Sequence, residues 1–127
     1  MKRDDWLEQL WATLKAAEER PFYYGACVAL AAECVDATTG SDFRQAVQTL
    51  IEAAHAEPMI ELAKLEAFVT ERLGEPIPMH RANRGDVVLL ETHFGPALGI
   101  CTGDRIACAG DGVVYLKRAR GLKAWAT

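Results

Sequence analysis

Residues 21–40, PFYYGACVALAAECVDATTG, decide how the rest of the chain is read. Pro21 has no N–H to donate, so it closes whatever helix precedes it. From Ala26 to Ala37 the residues are Ala, Leu, Val, Glu, Asp and Cys, with no Pro or Gly to break a helix. Thr39-Gly40 supplies the stop, because glycine tolerates the left-handed conformation of a helix C-terminus. Cys27, Leu30, Ala31, Cys34 and Val35 share one face of this helix, and alanines fill most of the remainder. That composition predicts a helix buried on several sides. Cys27 falls in the first turn, where unpaired backbone N–H groups favour a thiolate. It is therefore a candidate nucleophile. The competing use is a small apolar residue packed at a helix start, since free cysteine is among the most buried side chains.

Working outward, Asp4–Arg20 reads as an amphipathic helix. Trp6, Leu7, Leu10, Trp11 and Leu14 form one apolar stripe, with Asp4 and Asp5 placed in the first turn to suit the dipole. Two tryptophans on one stripe predict heavy packing within the domain; any part left uncovered would be a partner surface. After Gly40, Ser41 and Asp42 are N-cap candidates for a helix carrying Phe43, Val47, Leu50 and Ile51. His55 near its end suits the negative pole of that helix. A further helix starts near Pro58, carries Ile60, Leu62, Leu65, Phe68, Val69 and Leu73, and ends at Gly74.

Glu75–Arg84 holds two prolines in four residues and reads as an extended connector. Beyond it the pattern changes from helix to strand. VVLLE, ALGICT, RIACA and VVYL are separated by Gly and Asp turn signals, and a last strand is expected over Lys123–Ala126. Asp86 and Asp104 read as turn residues at hairpin ends. Helices first and strands afterwards predict one α+β domain: a helical half over residues 1–74, a connector over 75–84, and a five-stranded antiparallel meander or small open barrel over 85–127.

The chain has 127 residues, enough for one core. Its net charge of -4 argues against non-specific nucleic-acid binding. No apolar run is long enough to span a bilayer, and MKRDDWLEQLW lacks the apolar core of a signal peptide, so synthesis in the cytoplasm is expected. Cys27, Cys34, Cys101 and Cys108 do not have zinc-ligand spacing; no metal or cofactor is expected, and reduced, mostly structural thiols are.

Several matches in order carry a resemblance: Pro21-Phe22, Tyr24-Gly25, Cys27 heading a buried helix, Gly85-Asp86 opening a strand, Gly99-Ile100, Gly103, and Ala124-Trp125. Over nearly its whole length the chain resembles the NlpC-type papain-like cysteine peptidases, which cleave peptidoglycan stem peptides. It is most similar to their small members among phage-tail and gene-transfer-agent genes. The resemblance implies a papain-like arrangement with Cys27 as nucleophile. It also implies a histidine base at the position occupied here by Ala97, and a base-orienting polar residue near Ile106–Cys108. The Asp that precedes the family's cysteine is Ala26, and the loop after Gly25 is shortened. His93 lies four residues before Ala97, while a general base must come within about 3 Å of its proton; His80 in the connector reads as a surface residue. The expectation is a structural protein of a phage tail tip or baseplate, carried on the virion, with other tail proteins as partners. The alternative is an active cysteine endopeptidase acting on peptidoglycan, and a weaker third is a binding module that keeps the cleft without chemistry.

Overall fold

A computed structural model describes residues 2–21, 26–54, 61–92 and 95–127. Four helices, α1 (Trp6–Ala17), α2 (Ala26–Thr39), α3 (Phe43–Ala54) and α4 (Leu62–Leu73), pack on a sheet of five strands. The strands are β1 (Val87–Thr92), β2 (Gly95–Cys101), β3 (Arg105–Gly110), β4 (Gly112–Lys117) and β5 (Lys123–Trp125). Every pairing is antiparallel and the order is β4-β3-β2-β1-β5. The first four strands form the expected meander. The fifth does not continue it: β5 returns to the far side of β1, with Val87 opposite Trp125. The sheet is open, and the fold is α+β as expected.

The alternation along each strand separates two apolar faces. Val87, Leu89, Leu98, Ile100, Ala107 and Trp125 join the helical layer. Val88, Leu90, Ala97, Cys101, Ile106, Cys108 and Ala124 form a second cluster on the opposite face, with Ala82, Ile77 and Met79 of the connector packed over them. The connector is accordingly more structured than two prolines suggest. Ile77 exchanges backbone hydrogen bonds with Ala124, and Met79–Arg81 make a single 3-10 turn.

α2 is the central helix. It lies on β2 and β3 and touches α1 and α3. Val28, Ala29, Ala31, Ala32, Cys34 and Val35 are all buried, so the helix is enclosed on more than one side, as its composition predicts. It ends at Gly40, whose φ of 72° places it in the left-handed region and whose N–H donates to the Asp36 carbonyl.

Three details differ from the sequence reading. α1 is shorter, and its buried stripe is Leu10, Leu14 and Ala17; Leu7 and Trp11 remain exposed at 36% and 42%. Only one side of the helix meets the domain, and Trp11 falls on the other. At α3, Ser41 and Asp42 do not cap. Asp36 of α2 does, its carboxylate accepting from the N–H groups of Phe43 (2.7 Å) and Arg44 (2.9 Å). The cap is therefore tertiary and joins two helices. His55 and Pro58 lie outside the described residues, whereas Gly74 closes α4 as expected, with its N–H on the Thr70 carbonyl.

Gly99 marks a close approach between β2 and β3. A Cβ there would stand 2.6 Å from Ile106 Cγ2 and 2.9 Å from both the Ala107 carbonyl oxygen and Cys108 Sγ. Gly99→Ala is expected to cost about 1–3 kcal/mol in urea unfolding through overpacking. Leu10→Ala is expected to cost about 2–5 kcal/mol, while Trp11→Gln should stay within about 0.5 kcal/mol. A large loss with Trp11→Gln would place that ring in the core.

Candidate functional site

Cys27 is the second residue of α2, as the sequence predicts, in the first turn, whose backbone N–H groups have no partner within the helix itself. Its side chain, and residues 22–25 ahead of it, lie outside what is described. The surroundings of the helix start are defined. Glu18–Arg20 passes over the tip of the β3–β4 hairpin, where Gly112 donates its N–H to the Arg20 carbonyl (3.0 Å). A Cβ at Gly112 would meet the Glu18 carbonyl oxygen at 2.7 Å, and its φ of 88° is left-handed, so a glycine is required twice over.

Beside this crossing, Arg20 makes a two-pronged pair with Glu33 of α2, at 2.7 and 3.2 Å, and Arg44 of α3 approaches the same carboxylate at 3.4 Å. The pair closes the gap between the α1–α2 link and the second turn of α2. With Pro21, Ala26, Leu30 and Gly110 it borders a recess of about 20 Å³, room for roughly one water. The described residues alone thus form no substrate-sized cleft at the helix start.

The position that the resemblance assigns to a base is Ala97. It is 2% exposed, lies opposite Leu90 on β1, and belongs to the second apolar cluster. A side chain at 97 therefore leaves the sheet on the face away from α2. In the Ile106–Cys108 region, Ile106 and Cys108 point to that same second face and Ala107 to the helices. None of the three offers a carboxylate, amide or imidazole. His80 is exposed on the 3-10 turn of the connector. His93 and His55 are outside the described residues. Among the described residues no cluster of His, Cys, Asp and Glu could hold a metal ion.

Asp86 has a structural role larger than a turn residue's. It is 2% exposed; one carboxylate oxygen accepts from the Asn83 N–H (2.8 Å), and the other accepts from the Thr127 N–H (3.2 Å) with Lys2 Nζ at 3.9 Å. It ties residues 2, 83 and 127 to the start of β1. Asp104 is exposed on the β2–β3 turn, as expected. Cys34, Cys101 and Cys108 are buried thiols outside any disulfide.

Sequence reasoning missed one residue of consequence, Arg118. Its guanidinium donates to the carbonyls of Met79 (2.9 Å), Ala82 (2.8 Å) and Gly103 (2.8 Å), and approaches Cys101 Sγ at 3.2 Å. It fastens the connector to the β2–β3 turn. No local motif announces a contact made across 39 residues.

With this geometry in place, comparison with known proteins assigns the chain to a family. Residues 1–127 match the family described as a domain of unknown function, DUF6950, and the chain belongs to it. No curated protein and no solved structure matches the chain.

Burial pushes the Cys34 thiol up to about 12, helped by the Glu33 charge and opposed by Arg20. In the unfolded chain the same thiol ionises near 9.0. The native state therefore holds a proton that the unfolded state releases, so Cys34 contributes stability in full below about pH 9 and loses it as pH rises toward 12. Urea unfolding between pH 8 and 10.5 should show a shallower decline for Cys34→Ala than for the parent. Equal slopes would mean that the thiol is solvated.

Proposed function

We propose that this chain is a structural component of a bacteriophage tail tip or baseplate, built on a degenerate NlpC-type, papain-like peptidase domain. The ordered residue matches from Pro21-Phe22 through Cys27 to Ala124-Trp125 motivate the family reading. One observation carries the non-catalytic part: the base position is Ala97, an enclosed alanine in an apolar cluster on the sheet face opposite α2. A thiol with a pKa near 8.5 is only a few per cent thiolate at neutral pH unless a base or positive field assists it. A helix N-terminus by itself is a weak substitute for an imidazole. The domain keeps the architecture that presents a cysteine and lacks a base at the matching position. In this role its partners are other tail proteins, and its place is the virion.

The test is the alkylation rate of Cys27 against pH, with Cys34, Cys101 and Cys108 replaced by Ala or Ser. The rate is expected to rise only above about pH 8.5, or labelling to be absent. A rate already on its plateau near pH ~6 would reveal a stabilised thiolate and favour the endopeptidase, with peptidoglycan stem peptides as substrate. In the phage, Cys27→Ala should leave assembly and infectivity unchanged. Normal particles with a large loss of infectivity would overturn the structural role.

A further inference from the structure

The two edges of the sheet are finished differently. β5 spans three residues, and the connector takes up its outer side, where Ile77 and Ala124 exchange backbone hydrogen bonds at 2.7 and 3.0 Å. β4, at the other edge, spans six residues, Gly112–Lys117, and pairs with β3 alone. At its start Gly112 donates to the Arg20 carbonyl. Beyond that point, among the described residues, nothing outside the sheet hydrogen-bonds the backbone of residues 113–117. An open strand of this length is a template for pairing with another chain, and proteins blunt such edges with bulges, prolines or charges along the strand. β4 pairs without a bulge, contains no proline, and carries its one charge, Lys117, at its very end.

The side chains of β4 are apolar on both faces. By its pairing with β3, Val113 and Tyr115 face the helical layer, and Val114 and Leu116 face the second cluster. Val114 and Tyr115 are each 42% exposed. On the helix side the apolar surface continues onto α1. Leu7 and Trp11, both exposed, lie at helical spacing with Glu18. Glu18 stands near Tyr115: burial, and then the Glu18 charge, push the Tyr115 hydroxyl above its ordinary value.

We infer that β4 is the interface of a symmetric dimer, in which it pairs antiparallel with β4 of a second copy of this chain. A two-fold axis normal to the sheet keeps like faces together and sets one residue opposite itself. With Val114 at that position, Val113 falls opposite Tyr115. Asp111, at the hairpin tip, then falls opposite Lys117 of the second copy, once at each end of the pairing. Both residues are exposed, and neither has an opposite charge within 4.0 Å among the described residues. Registers centred on Val113 or Tyr115 set Asp111 opposite Tyr115 or Ala119 instead, with no charge matched. Within the subunit Lys117 stands opposite Arg105, a like-charge pair that an aspartate from the second copy offsets. This self-complementary charge pattern selects a second copy as the occupant. The inference stands on the strand edge and is independent of the peptidase resemblance.

Sedimentation velocity over about a hundredfold range of concentration reads the oligomeric state of the full chain, which is expected to show a reversible monomer–dimer equilibrium. Val114→Lys should leave a monomer with the parent's circular dichroism, because the position is exposed and lysine on an edge strand opposes pairing. Asp111→Lys sets lysine against lysine at both ends and should weaken dimerisation about tenfold; Lys117→Asp should do the same with aspartates. The double variant Asp111→Lys/Lys117→Asp restores opposite charges and should dimerise within about threefold of the parent. This charge swap keeps the test decisive if Val114→Lys misfolds. The inference is overturned by a monomer at every concentration, by a dimer that Val114→Lys leaves intact, or by a double variant that dimerises no better than the single ones.

Discussion

The enclosure of α2 is the constraint on which the rest of the structure depends. A helix can touch β2, β3, α1 and α3 together only if its side chains are small, and seven of the 14 residues of ACVALAAECVDATT are alanine, cysteine or similarly compact apolar groups on the buried sides. Close packing there sets the positions of its neighbours. α3 is fastened through the Asp36 cap and by the edge-to-face contact of Phe43 with Phe68 of α4, 5.9 Å between ring centroids. The α1–α2 link is drawn across the β3–β4 hairpin tip, where Gly112 leaves room for it. The Arg20–Glu33 pair then closes the helix start on its solvent side.

The second face of the sheet solves a different problem. An open sheet with helices on one side leaves the other face apolar and wet unless something covers it. Here the connector does so, through the Ile77–Ala124 bridge, Met79 and Ala82. Three inward-turned carbonyls, those of Met79, Ala82 and Gly103, converge on Arg118, which satisfies them at once. Through this device a single side chain fastens the connector to the β2–β3 turn.

Much of the fold was legible in local sequence. Pro21, the alanine-rich run and Gly40 bounded α2, and Gly74 ended α4, because these residues act through backbone conformations that need no tertiary partner. Gly and Asp turns separated the strands for the same reason. What failed were features defined by partners distant in sequence. The α3 cap came from Asp36 and not from Ser41 or Asp42, and α1 buried Leu10, Leu14 and Ala17 while leaving Trp11 outside. Hydrophobicity marks a stripe; the direction from which the domain approaches determines how much of it is covered.

By itself the sequence determined the fold class, the division into helical and strand halves, the position of Cys27 in the first turn of α2, and alanine at position 97. These follow from residue identity, periodicity and chain-breaking residues. Only the tertiary structure decided that β5 pairs with β1 and that position 97 faces away from α2. The same holds for Arg118 holding the connector. Strand order and the face of a side chain depend on contacts between distant segments, which no local pattern encodes.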